Sequence, residues 1–207
     1  AADGAQGLRN RHRMIVGAEE IPPTPMRCLT VDSPNHLFLC GEAMIPTHNT
    51  LTGGQWTAQE AYFDPEAHPS AVIAPTLNDV RHTCFEGPAG LLNTLPLDLI
   101  VDYNKTNLII TIRTLSGKNS IIRGFSAEEP ERLRGPQFAR IWADELAAWT
   151  RDEETWDMAM MGLRLGPHPK VVWTTTPKPK DLIRKLSAPK KNRVITTGTT
   201  YENKAHL

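Results

Sequence analysis

The chain reads as an α/β protein preceded by a short all-β segment, and three observations carry that reading. After residue 50, short apolar runs alternate with helix-length stretches, the pattern of a mainly parallel sheet covered on both faces. Before residue 50, the apolar runs are parted by turn residues alone, which suits a small β unit. Composition and style change abruptly at His48-Asn49-Thr50. Two units follow, 1–49 and 50–207.

Residues 1–12 are rich in Gly, Asn and Arg and read as a lead-in. Ala1-Ala2-Asp3-Gly4 has neither an initiating Met nor an apolar stretch, so it is not a signal peptide and is expected to be the cut edge of a longer reading frame. Met14-Ile15-Val16 is a short strand. Ile21-Pro22-Pro23-Thr24-Pro25 excludes helix interior and central strand and makes a stiff connection. Residues 28–32 and 36–40 are strand candidates around the turn Asp32-Ser33-Pro34-Asn35, with a second turn at Gly41-Glu42 before Met44-Ile45.

In the second unit, Leu51 to Tyr62 is a helix, with Leu51, Trp56 and Ala58 among its packing positions. Gly53-Gly54 weakens that helix but admits a close neighbour. Ala71 to Ala74 is a buried-type strand stopped by Pro75. Thr76 to Leu92 is a helix candidate capped by Thr76 or Asn78, with a weak point at Gly87-Pro88. Asn107 to Thr114 and Ser120 to Phe125 form a hairpin about Ser116-Gly117-Lys118-Asn119. Phe138 to Ala143 is a strand, Asp152 to Leu163 a helix, Lys170 to Thr174 a strand, Asp181 to Leu186 a short helix and Arg193 to Thr197 a last strand. Arg140 interrupts the apolar approach to Asp144, which would suit a strand near a sheet edge or face.

Lys+Arg and Asp+Glu are equal at 23 each, so no global basic field announces nucleic acid, although a local patch remains open. No apolar run approaches the roughly 18 residues of a membrane span. Cys28, Cys40 and Cys84 form no close pair of metal-ligand spacing. A reducing, intracellular setting is expected rather than a zinc site, with Cys40 and Cys84 as small buried apolar residues.

The chemistry of the first unit lies at its end. The Asn49 amide nitrogen can attack its own main-chain carbonyl, closing a succinimide and breaking the bond to Thr50. His48 is placed to move the protons, and Thr50 offers a hydroxyl at the new amino terminus. Cys28-Leu29-Thr30-Val31, a variable turn, His36-Leu37-Phe38-Leu39 and the closing His48-Asn49 before Thr50 resemble the last two sequence blocks of an intein of the Hint fold. The resemblance implies protein splicing by Asn49 cyclisation, with His48 acting at the scissile carbonyl and His36 promoting the amide's attack. Cys28 holds the position that helps drive the earlier steps; a buried strand residue is the alternative. An amino-terminal intein half would be the missing partner, and splicing needs no cofactor.

In the second unit, Ile141-Trp142-Ala143 runs straight into Asp144-Glu145. Adjacent carboxylates at a strand's carboxyl end suit magnesium binding and activation of water in nucleotide hydrolysis; a helix start with acidic residues is the alternative. With Ala71-Val72-Ile73-Ala74-Pro75-Thr76, Arg132-Leu133-Arg134-Gly135-Pro136, Val171-Val172-Trp173-Thr174-Thr175-Thr176-Pro177 and Gly198-Thr199-Thr200-Tyr201-Glu202-Asn203, this stretch resembles the ATPase domain of tailed-phage terminase large subunits. Their fold is a P-loop core of the ASCE type. The resemblance implies ATP and magnesium as cofactors, with Asp144 as the magnesium carboxylate and Glu145 as the catalytic base. Arg134 would reach a neighbouring subunit's phosphates, with Arg132 and Arg140 as competitors, and Thr174, Thr175 and Thr176 would couple hydrolysis to movement. It also implies double-stranded DNA, a portal, a small terminase subunit and further copies in a ring as partners, in the cytoplasm of a bacterial host, without a membrane.

The phosphate-cradling Gly-x-x-x-x-Gly-Lys-[Ser/Thr] loop is absent, and Gly117-Lys118-Asn119 lacks the hydroxyl and the right place. If the intein interrupts the gene between that loop's Lys and its hydroxyl residue, Thr50 serves both splicing and magnesium. An amino-terminal ATPase segment would then be a second missing partner, and the chain as it stands is expected neither to splice nor to hydrolyse ATP. Two other readings stay open: a helicase-like translocase with an accessory β module and no intein, and an adaptor in which Asp144-Glu145 is structural. On the packaging reading, strands 71–74, 138–143 and 170–174 share one sheet. Asp144 and Thr174–Thr176 then meet at one edge, near the start of the helix that follows Asn49.

Overall fold

A computed structural model describes residues 38–40, 45–47 and 49–195, apart from positions 65 and 192. Strands β1 (Phe38–Cys40) and β2 (Ile45–Thr47) pair antiparallel. The expected strands at 14–16 and 28–32, the site residues Cys28, His36 and His48, and the stretch 198–203 lie outside the described residues.

Helix α1 (Asn49–Phe63) opens the second unit. Strand β3 (Ser70–Ala74) follows, then a short α2 (Leu77–Asp79) that continues as a π-helix over Val80–Phe85, and α3 (Leu91–Thr94). Strands β4 (Ile100–Asn104), β5 (Ile109–Arg113), β6 (Asn119–Ser126) and β7 (Arg140–Ala143) precede α4 (Asp152–Gly162), β8 (Lys170–Trp173) and α5 (Asp181–Ser187).

The six-stranded sheet has the order β4-β5-β6-β3-β7-β8. β6, β3, β7 and β8 run parallel, whereas β4-β5 and β5-β6 are antiparallel hairpin pairs, so the sheet is mixed and mostly parallel. Alternation along the central strands divides the core. Ala71, Ile73, Ile141 and Ala143 pack with α4 and α5 on one face, and Val72, Ala74, Trp142 and Ile122 pack with α1, the π-helix and α3 on the other. The carboxyl ends of four parallel strands therefore meet at one edge: Ala74, Ser126, Ala143 and Trp173. The strands expected at 71–74, 138–143 and 170–174 are neighbours there, as the alternation required.

Several local expectations change. β4 was not legible because it is an edge strand, mostly half-buried or exposed and without clean alternation. The helix expected over Thr76–Leu92 is broken at Gly87-Pro88. Thr76 is its cap: its hydroxyl accepts from the Asp79 N–H, and Asp79 accepts from the Thr76 N–H in return. Arg193–Ile195 form no strand, and the rest of that expected strand lies outside the described residues. The Arg193 guanidinium instead donates to the Lys185 and Ala188 carbonyls at 3.1 and 3.2 Å, closing the end of α5. On α1 the buried positions include Thr50, Gly53, Gly54, Thr57, Ala58 and Ala61, while Leu51 and Trp56 are only half-buried.

Arg140 marks no sheet edge. β7 is interior, between β3 and β8, and the Arg140 side chain is 2% exposed. It tolerates burial because Glu60 on α1 and Asp64 just past its end both take its guanidinium, and Nη1 donates to the His168 carbonyl at 2.8 Å.

Candidate functional site

Four elements bring the site together: α1, the π-helix that carries Cys84, β7 and the end of β8. Gly53 faces the Trp142 indole so closely that a Cβ there would lie 2.1 Å from Nε1. About two turns further along α1, Glu60, with Asp64 just past the helix end, holds Arg140 at the start of β7. The helix therefore runs antiparallel to β7, and its amino turn, with the buried Thr50, points toward the end of the strand where Asp144 stands.

Asp144 continues the ladder of β7, its N–H donating to the Ile73 carbonyl at 2.8 Å. Its carboxylate is 1% exposed and takes one donor on each oxygen. The Thr174 hydroxyl donates to Oδ1 at 2.6 Å, and the Cys84 thiol donates to Oδ2 at 3.4 Å. Burial pushes the Asp144 carboxyl up to about 6. The Thr174 bond pulls the other way, the charge of Glu145 adds to the rise, the Cys84 bond lowers it and Asp79 raises it slightly. Burial likewise raises the Cys84 thiol well above its ordinary range, with the Asp144 charge next in effect.

Glu145 occupies the left-handed region (φ 47°, ψ 46°), which non-glycine residues rarely hold and which recurs where structure re-aims a side chain. The turn swings the chain out of β7 into a 3₁₀ segment, Leu146–Ala148, anchored by the Trp149 indole donating to the Asp144 carbonyl at 2.9 Å. The Thr176 N–H donates to Glu145 Oε2 at 3.3 Å, and the Thr175 hydroxyl accepts from the Ala147 N–H at 2.8 Å. Thr174, Thr175 and Thr176 thus each contact a different part of the Asp144–Ala147 segment.

A family model described as "Terminase large subunit, T4likevirus-type, N-terminal" matches residues 49–194. The chain belongs to this family. Its fold is that of solved terminases. It is similar to the large terminase ATPase domain of Thermus phage P74-26 (14% identity, TM-score 0.50, covering 84% of this chain and 74% of that one). It is also similar to a large terminase from a thermophilic bacteriophage solved in complex with ADP (14% identity, TM-score 0.54, covering 76% of this chain). The chain spans only 38% of that second protein. Over 45 residues it is 40% identical to the replicative DNA helicase DnaB of Mycobacterium intracellulare, which is 22% of this chain and 8% of the helicase.

Not every residue expected at the terminase site gathers at Asp144. Arg134 is exposed and pairs with Glu131 at 3.3 Å. It lines a cleft of about 330 Å³ with Met158, Met161, Gly162 and Arg164. The Phe138 N–H, just before β7, donates to the Gly162 carbonyl at 2.8 Å, so this cleft sits toward the amino-terminal edge of β7, away from Asp144. Arg140 is committed to Glu60 and Asp64 and is no competitor for an outward role.

Cys84 and Trp142 were missed. Sequence offered only an apolar-looking cysteine and a strand tryptophan. The structure turns the Trp142 indole N–H toward the Thr174 hydroxyl at 3.2 Å.

The residues suit magnesium better than they suit phosphate. Among the described residues no cation pairs with the buried Asp144 carboxylate, and magnesium typically takes one or two carboxylates and keeps several waters. Among the described residues no three His, Cys, Asp or Glu side chains form a closed metal cage. The sequence holds no Gly-x-x-x-x-Gly-Lys-[Ser/Thr] loop before the α1 amino turn.

Proposed function

We propose that residues 50–207 are the nucleotide-hydrolysing core of a DNA-packaging motor and residues 1–49 the carboxyl-terminal end of an intein. The observation that carries the motor reading is the Asp144 carboxylate. It is buried, held by Thr174 and Cys84, and set at the carboxyl edge of four parallel strands beside the amino turn of α1. Ligands of open α/β sheets bind at that edge.

In this reading Asp144 and Thr50 hold magnesium, which would neutralise charge on the ATP phosphates. Glu145, re-aimed by its left-handed backbone, orients the attacking water and accepts its proton. Thr174–Thr176 bind the segment that follows Asp144, so that a change at the carboxylates reaches β8 through fixed hydrogen bonds. Arg134 serves a neighbouring copy, which fits its exposure away from the chain's own Asp144. Double-stranded DNA, a portal, a small subunit and a ring of copies would be the partners.

The family match begins at Asn49 and leaves residues 1–48 outside it, which fits a change of unit near that point. In the intein reading Asn49 cyclises, His48 and His36 assist, and Cys28 serves the earlier steps. Thr50 would then pass from splicing hydroxyl to magnesium hydroxyl in the first turn of α1.

The test is a full-length precursor compared with its spliced product in a magnesium-dependent ATPase assay. Hydrolysis is expected only after splicing. Glu145→Gln is expected to lower the chemical step by about two orders of magnitude or more while leaving splicing intact. Asn49→Ala should leave the Asn49–Thr50 bond whole by intact mass. Equal turnover by an unspliceable precursor and the mature chain would remove Thr50 from the site, and equal turnover by Glu145→Gln would remove the motor chemistry.

A further inference from the structure

A threonine hydroxyl has one proton and two lone pairs, whereas an indole N–H can only donate. The Thr174 hydroxyl lies between two groups of opposite kind: the Trp142 N–H at 3.2 Å and the Asp144 Oδ1 at 2.6 Å. The indole fills a lone pair, so the hydroxyl's single proton is left for the carboxylate. All three side chains are 2% exposed or less, so no solvent supplies an alternative partner for that proton.

The indole's own position is set from the other side. Gly53 leaves no Cβ between α1 and the ring, and the nearest ring atoms fill that space. Trp142 thus touches the first turns of the helix that begins at Asn49 and, by its N–H, the hydroxyl that holds Asp144.

We propose that Trp142 is a positioning residue that orders the Thr174 hydroxyl onto Asp144 and ties that order to the seating of α1 against β7. The proposal rests on the reading of Asp144 as the magnesium carboxylate for its functional consequence. The hydrogen-bond chain itself is independent of that reading. The Asp144 Oδ1 lone pair facing Thr174 is occupied, which leaves the carboxylate one fixed orientation toward a ligand. Because the ring is wedged against Gly53, displacement of the α1 amino turn would move the N–H from Thr174 and free the hydroxyl to rotate. Trp142 touches no reacting atom in this scheme and acts through Thr174.

Two measurements test it. In the 207-residue chain labelled with ¹⁵N-tryptophan, the Trp142 indole resonance, identified by its loss in Trp142→Phe, is expected to shift upfield in Thr174→Val and to stay in place in Thr174→Ser. An unmoved resonance in Thr174→Val overturns the proposal, and this arm needs no folded Trp142 variant if the resonance is assigned through bonds. In the spliced full-length protein, Trp142→Phe keeps an aromatic ring, smaller than the indole, and loses the donor. It is expected to raise the magnesium concentration for half-maximal hydrolysis by about 3- to 10-fold, the worth of one net hydrogen bond, with kcat changed less than that. Trp142→Phe/Thr174→Val should match Thr174→Val alone, since both act on one hydroxyl. Additive effects would mean that Trp142 acts by packing only and would overturn the inference. Equal hydrolysis by Glu145→Gln and the parent would instead defeat the motor reading and leave the resonance result standing.

Discussion

Gly53→Ala separates helix propensity from tertiary packing in a single methyl group. By propensity alone, alanine in a helix interior is worth about 1 kcal/mol over glycine, so α1 considered by itself predicts a more stable protein. The structure predicts the reverse. A Cβ at Gly53 would lie 2.1, 2.2 and 2.7 Å from Trp142 Nε1, Cε2 and Cζ2, where ordinary contact needs 3.4 Å or more. The ring cannot swing aside easily, because Trp142 is fully buried and its N–H is bound to Thr174. Overpacking of a filled core costs about 1–3 kcal/mol, occasionally more, and an overlap above 1 Å against a rigid ring belongs at the upper end. The net expectation is a loss of roughly 1–2 kcal/mol after the propensity gain is subtracted. Gly54→Ala is the control. Its Cβ would meet the Ala89 carbonyl at 3.3 Å, which needs a shift of only tenths of an ångström, so its change should stay within about 1 kcal/mol of the parent. Urea unfolding followed by tryptophan fluorescence reads both, and a Gly53→Ala/Trp142→Leu pair should cost less than the sum of its parts. A Gly53→Ala chain more stable than its parent would refute the seating of α1 on Trp142.

Two further perturbations follow from the buried charges. The Asp144 carboxyl is raised from 3.8 to about 6, so the folded chain holds the extra proton and its stability is greatest below pH 4 as far as this group is concerned. That contribution, on the order of 2–3 kcal/mol, is lost as pH rises through about 6 in the metal-free chain. Asp144→Asn should flatten this fall and leave the chain more stable than its parent at pH 7, as unfolding midpoints between pH 4 and 8 would show. Arg140→Met leaves Asp64 without its buried cation and Glu60 with the half-exposed Lys170 alone, at 3.0 Å. Removing one partner of a buried pair costs about 3–5 kcal/mol, and the partial exposure of Asp64 lowers the expectation to roughly 2–4 kcal/mol. Arg140→Met/Glu60→Gln/Asp64→Asn should recover part of that loss in the same urea experiment, and an Arg140→Met chain as stable as the parent would show that the clamp contributes nothing.

Local sequence carried the frame of the molecule because its signals are local. Ala71-Val72-Ile73-Ala74 announces a buried strand by composition and Val171-Val172-Trp173 a strand, and Asp144-Glu145 stands out because carboxylates follow an apolar strand directly. Gly53-Gly54 flagged a close neighbour without naming it. Short-range rules failed where burial was partial or a partner distant. β4, an edge strand, leaves Val101 and Asp102 exposed and so shows no period.

What belonged to the sequence alone was the α/β alternation, the order of the strands' motifs and the acidic pair at the end of β7. Only the tertiary structure decided which side chains meet there. Cys84 reaches Asp144 across 60 residues, Trp142 reaches Thr174 across 32, and Arg140 reaches Glu60 across 80. Those contacts have no signature in any window of sequence, because a buried donor or charge is tolerated only when its partner arrives from another element. Arg140 is the clearest case. Beside Ile141 it reads as a strand strayed to an edge or face, until α1 and the residue after it lay two carboxylates over it and make an interior cation stable.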